Sequence, residues 1–182
     1  MKKRLVGCVG DNKITGIRDL RLVKRSLAFK MASEEIYNKD NVYISGLNLG
    51  TDLYFAELVV YLNLQLHVVL CMPDQKQMYG KEDRARFNRI LKIAHSVYEV
   101  YVIPEYRIKK KQRRKWESEF GVGYYHRMLF LQGYKFIVDT CDHVFVVWNG
   151  KRTASVTYRC LNYMKDVGFE PDMINVGSRL LK

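Results

Sequence analysis

The feature that most constrains this chain is its regular alternation of short apolar runs with amphipathic stretches. Arg4–Gly10 reads as a first strand, Val42–Ser45 as a second, and Leu66–Met72 as a third that stops at Pro73. Val97–Ile103 reads as a fourth strand ending at Pro104, His143–Trp148 as a fifth and Met173–Val176 as a sixth. Between them, helical periodicity covers Asp19–Tyr37, Thr51–Asn63, Glu82–Ala94, Tyr124–Thr140 and Ser155–Val167. Runs of four to seven residues, apolar on both sides of the backbone, belong to a parallel sheet covered on both faces. The expected fold is therefore α/β: one Rossmann-like, doubly wound, mostly parallel sheet of about six strands with helices on both faces.

A chain of 182 residues is expected to form one domain over its whole length, and its 48% apolar content is that of a globular protein. No segment reaches the length of a membrane span, and the basic N-terminus leads directly into the first strand, so no membrane association is expected. Cys8, Cys71, Cys141 and Cys160 have no CxxC spacing and the four histidines are scattered; this predicts reduced core cysteines, no metal, no cofactor and a cytoplasmic location. The net charge of +12 favours an anionic partner. Part of it is concentrated in Arg107–Lys115, within an expected insertion over about residues 104–123 that lies as a flap over one edge of the sheet.

In this architecture ligands bind outside the carboxyl ends of the strands. Gly10, Asp11 and Asn12 follow the first strand; Ser45, Gly46, Asn48, Gly50, Thr51 and Asp52 follow the second. Pro73 to Gln77 follow the third, and Asn149 with Lys151, Arg152 and Thr153 the fifth. Glycines between a strand end and a helix start uncover amide N–H groups at the positive end of the helix dipole, which suits a phosphate. The turn also reads as an ordinary connection with Thr51 or Asp52 as helix N-cap.

Ser45-Gly46-x-x-x-Gly50-x-Asp52, followed by Phe55-Ala56-Glu57, resembles the second-strand motif of YpsA-like proteins in the SLOG superfamily, the relatives of DprA and LOG. Val9 to Gly16 matches the family's first glycine turn, Pro73 and Gln77 its Pro-x-x-x-Gln motif, and Asp139 and Asp142 its Asp-x-x-Asp run. The likeness covers roughly residues 4–160. The family's Arg-Asn pair falls on Gly133-Tyr134, with Arg127 and Gln132 nearby, and its Gly-Gly-Thr turn is replaced by Thr153-Ala-Ser-Val-Thr157. The Pro-Gly-Gly-x-Gly-Thr-x-x-Glu signature of LOG-type phosphoribohydrolases is absent, which leans against an enzyme.

The resemblance implies a binding module for a nucleotide-derived molecule, either a receptor or a sponge. In a bacterial virus such a module would disarm host defence signalling. A LOG-like N-glycosidase and a DprA-like nucleic-acid binder, using Arg107–Lys115, are the alternatives. Self-association into a homo-oligomer is a further expectation. Among carboxylates, Asp11 is placed to take a ribose hydroxyl, whereas Glu57 points either into the site or to solvent.

Overall fold

The structure is a computed structural model that describes residues 3–11, 17–32, 36–150 and 153–175, without the side chains of residues 17–20 and 175. Its strands are β1 (Leu5–Gly10), β2 (Val42–Ser45), β3 (Gln65–Leu70), β4 (Ser96–Glu99), β5 (His143–Trp148) and β6 (Asp172–Asn175). The helices are α1 (Ile17–Met31), α2 (Thr51–Tyr61), α3 (Lys81–Ile93), α4 (Lys110–Phe120), α5 (Val122–Thr140) and α6 (Val156–Asp166). All six strands are parallel, in the order β4-β3-β2-β1-β5-β6.

The period-two alternation of each strand divides the core into two layers. Val6 and Cys8 of β1, Tyr43 of β2 and Phe145 and Val147 of β5 meet Leu27 of α1, Phe55 and Val59 of α2 and Ile90 of α3. On the other face, Val9, Ile44, Val144 and Val146 meet Leu131, Ile137 and Val138 of α5 and Met164 of α6. Each such buried side chain contributes about 1.5–3 kcal/mol, which is why the apolar runs dominate the pattern. Right-handed crossovers explain the layering: the chain steps from β1 to β4 in one direction with α1 to α3 on one face. It then returns through α5 and places α5 and α6 on the other. α5 comes close to the sheet because both surfaces carry glycine. A Cβ on Gly7 would lie 2.5 Å from Ile137 Cγ2, and one on Gly133 would lie 2.2 Å from Cys71 Sγ.

Several boundaries differ from expectation. Helix α1 ends at Met31, short of Tyr37, and the Ile36 carbonyl beyond it accepts from Tyr43 Oη and Asn41 Nδ2. Strand β4 stops at Glu99, where its β3 partner ends at Leu70; residues Val100–Val102 form a 3₁₀ turn that buries Val100 under the sheet. The basic block forms most of α4, which packs on α5 through Trp116 and Phe120 against Tyr124, at ring distances of 5.8 and 4.8 Å. Gly121, at φ 79°, makes the break between α4 and α5. All four cysteines are free and buried, and among the described residues no helix is long and apolar enough to cross a membrane.

Candidate functional site

Strand order reverses at β1: the chain leaves toward β2 and later returns to β5 on the other side. The loops after β1 and β5 diverge there, and a cleft of about 670 Å³ opens at the carboxyl ends of the strands. That volume lies within the range of small-molecule sites. Asp11 extends the β1–β5 ladder by one bond, its amide donating to Val147 O at 3.0 Å, while the Asn149 amide donates to its Oδ2 at 3.4 Å. The Asp11 carboxylate is thus set at the edge of the cleft, 5% exposed. Leu49 and Met78 form one apolar wall, and Phe130 of α5 lies on the other side. His126 and Arg127 of α5, with the Thr153–Thr157 segment that opens α6, supply the polar wall. Ser155 caps α6, its Oγ accepting the Tyr158 amide at 3.1 Å.

The floor is built from the turn after β2. Leu47 sits at φ 51°, a conformation that costs a leucine about 1–2 kcal/mol. It is held by Ser45 Oγ, which accepts its amide at 3.2 Å, and by Tyr79 Oη, which donates to its carbonyl at 3.1 Å. The N-cap of α2 is Gly50, at φ 85° and ψ −123°, and no side chain caps this end. This corrects the expectation of Thr51 or Asp52 as N-cap. Thr51 Oγ1 instead donates to Asp11 O at 3.3 Å, and a Cβ on Gly10 would meet Thr51 at 2.7 Å. Gly10 is required there because the end of β1 packs directly against Thr51 in the first turn of α2.

Asp52 is fully buried. Its Oδ2 accepts Asn48 Nδ2 at 2.9 Å, and its Oδ1 lies 3.3 Å from Tyr134 Oη. Burial pushes its carboxyl up to about 8, against the lowering effect that the Asn48 and Tyr134 side chains and the Asn48 and Gly10 backbone would have as donors to its ionised form. Gln75 fixes the arrangement: its Oε1 accepts the Cys71 amide at 2.9 Å, and its Nε2 donates to Gly46 O at 2.7 Å and approaches Asn48 Oδ1 at 3.3 Å. A Cβ on Gly46 would press on Asp52 Oδ2 at 3.1 Å and Asn48 Nδ2 at 3.2 Å. The space that Gly46 leaves is occupied by this polar pair.

Of the residues expected at the rim, Gly10, Asp11, Asn48, Arg127 and Thr153 line the cleft. Ser45, Gly46, Gly50, Thr51 and Asp52 form or support the turn beneath it. Asn12, Lys151 and Arg152 lie outside the described residues. Glu57 faces α3, where Arg86 Nε and Nη2 both donate to it at 2.8 Å. Pro73 and Gln77 are exposed, and Gln77 donates to Asp74 Oδ1 at 3.0 Å. Asp139 and Asp142 sit at the opposite end of the sheet: Asp142 Oδ2 accepts the Leu5 amide at 2.8 Å, and Asp139 accepts from Tyr106 and Tyr163. Sequence reasoning missed Gln75, Tyr79, Tyr134, His126 and Phe130. The available signal was the Gly133-Tyr134 departure, since Tyr134 Oη donates to Gly10 O at 2.8 Å.

No protein-family model and no curated protein matches the chain. The structure is similar to the X-ray structure of DNA processing protein A (DprA) from Streptococcus pneumoniae, with a TM-score of 0.61 at 14% identity. The match covers 98% of this chain and 52% of that one, so the chain spans about half the length of that protein. The class so defined is a Rossmann-like α/β protein with a DprA-like fold.

Proposed function

We propose that the cleft binds a nucleotide-derived molecule, and that the protein acts as a receptor or sequestering sponge for it, in keeping with the YpsA-like and SLOG resemblance of its turns. The observation that carries this reading is the two-sided cleft at the switch point. Leu49, Met78 and Phe130 offer apolar surface for a base, and Arg127 with the amino end of α6 offers charge and donors for a phosphate. Asp11, between them, is an acceptor for a ribose hydroxyl. In a sponge of this kind in a bacterial virus, tight retention replaces turnover. Glu57, the carboxylate that the motif offers a LOG-like N-glycosidase, is engaged by Arg86 of α3, which favours retention over hydrolysis. Calorimetric titration with adenosine 5′-monophosphate, 3′,5′-cyclic AMP and ADP-ribose tests the reading. Arg127→Ala is expected to weaken the bound nucleotide about 10- to 100-fold, the value of a charge-assisted hydrogen bond. Wild-type protein that binds none of the three, or Arg127→Ala that binds as tightly as wild type, contradicts it.

A second reading is favoured by α4. Lys110, Lys111 and Arg114 form an exposed cationic face, and Tyr125, with Arg113 stacked 4.9 Å over its ring, joins that face to His126 at the cleft. This surface suits a nucleic-acid backbone.

A further inference from the structure

The hydrogen bonds beneath the cleft constrain where one proton sits. Tyr134 Oη has a single proton, and the oxygen faces Gly10 O at 2.8 Å, Gly10 N at 3.4 Å, Asp52 Oδ1 at 3.3 Å and the Asn48 side chain. The Gly10 carbonyl can only accept, so the shortest contact takes the phenol proton. Tyr134 can then meet Asp52 Oδ1 only as an acceptor. The other carboxyl oxygen is already defined as an acceptor, because the orientation of each amide is fixed in turn. The Cys71 amide donates to Gln75 Oε1, which turns Gln75 Nε2 toward Gly46 O at 2.7 Å, toward Tyr79 Oη at 3.1 Å, whose own proton goes to Leu47 O, and toward Asn48 Oδ1 at 3.3 Å. Asn48 Nδ2 is thereby directed at Asp52 Oδ2, 2.9 Å away. With the proton on Asp52 Oδ1, both the Tyr134 and the Asn48 side-chain contacts of the carboxyl pair a donor with an acceptor.

We infer that Asp52 is a neutral carboxylic acid in the folded protein and that, donating to Tyr134, it is the positioning residue for the Gly10–Asp11 turn of the cleft; the consequence for ligand rests on the cleft being the binding site. The surroundings agree. The titratable groups that face Asp52 are Cys8 of β1, Cys71 after β3, Tyr79, Tyr134 of α5 and Cys160 of α6. All are acids whose own ionisation a charge on Asp52 opposes, and none of them supplies a cation to hold a buried carboxylate. A neutral Asp52 also leaves the floor of the cleft uncharged beneath an anionic ligand. When Asp52 ionises, it competes with Gly10 O for the phenol proton, and the turn carrying Asp11 loses its donor.

The test uses the full chain without ligand. With ¹³C-labelled aspartate, the Asp52 carboxyl resonance is expected to titrate near 8, against about 3.9 for an ordinary aspartate. The Gly10 and Asp11 amide resonances should move with the same midpoint. Asp52→Asn is isosteric with the neutral acid: it should keep the Gly10 and Asp11 shifts of wild type at pH 6 and show no titration of them up to pH 10. A wild-type carboxyl midpoint below about 7, or Gly10 and Asp11 shifts unmoved through the Asp52 titration, overturns the inference. If Asp52→Asn does not fold, Tyr134→Phe must still displace the Asp52 midpoint, and an unchanged midpoint overturns it equally. Failure of every nucleotide to bind contradicts the cleft reading alone, whereas a bound nucleotide with an ordinary Asp52 titration contradicts this inference alone.

Discussion

Replacing Tyr134 with Phe removes one oxygen from a residue that is only 2% exposed, so the expected effect comes from hydrogen bonds, not from lost volume. Two partners are stranded: the Gly10 carbonyl, which loses a donor at 2.8 Å, and the Asp52 hydroxyl, which loses its acceptor at 3.3 Å. A buried polar group left without a partner costs about 1–3 kcal/mol, and the longer contact belongs at the low end. The sum is about 2–4 kcal/mol, a large part of the stability of an ordinary domain. Urea unfolding followed by circular dichroism would show it as a lower midpoint with an unchanged slope; at about 2 kcal/mol per molar, the midpoint falls by about 1–2 M. Adding Asp52→Asn to Tyr134→Phe should recover little of this loss, because the amide that replaces the acid hydroxyl is a donor left without the same acceptor. A loss below about 0.5 kcal/mol, typical of surface substitutions, would refute the assignment of Tyr134 as the tie between β1 and α2.

Other expectations follow from the same geometry. Because the Asp52 carboxyl is raised from 3.8 to about 8, the folded state binds more protons than the unfolded state between those values, and its contribution to stability falls as pH rises through that window. Asp52→Asn should therefore gain on wild type from pH 4 upward. The advantage should grow by up to about 1.4 kcal/mol per pH unit between pH 4 and pH 8 and level off by pH 8.5. Unfolding at both pH values checks this, and a difference that does not vary with pH argues against it. Gly133→Ala places a methyl 2.2 Å from Cys71 Sγ and should cost about 1–3 kcal/mol, most of it recovered when Cys71→Ala is added. Glu57→Gln should lower stability by about 1 kcal/mol at most through its half-exposed pair with Arg86, and nucleotide affinity should stay at the wild-type value in the same titration. On the second reading, replacing Lys109, Lys110, Lys111, Arg113 and Arg114 with Ser should abolish nucleic-acid binding, while a nucleotide in the cleft should be weakened only modestly. Titrations of both ligand classes at two salt concentrations separate these outcomes.

The fold was legible because buried parallel strands leave nothing but apolar runs. β2 and β5 were delimited to the residue by the pattern, since both faces of each are covered. Edges and ends were less legible. β4 has one partner, and where that partner ends the chain turns, whatever the apolar character of Val100 to Ile103. The rim residues Gly10, Asp11 and Asn48 were visible because turn chemistry singles them out. The polar floor was not. Gln75, Tyr79 and Tyr134 come from separate elements and read as a turn residue and two core aromatics until the fold brings them to Asp52 and Gly46. Glu57 looked like a site residue through its motif spacing, but its helix faces α3 at that position and Arg86 takes both oxygens.

The central claim, that the cleft retains a nucleotide-derived molecule, is tested most directly by mass spectrometry of the small molecules released when protein purified from cells is denatured. Arg127, exposed on α5 at the cleft wall, allows a control with reversed charge that spares the core. Wild type should release a phosphorylated nucleoside derivative, and Arg127→Glu should release none. A wild-type sample that yields no such molecule, or an Arg127→Glu sample that yields as much of it, would show that the cleft does not retain a nucleotide.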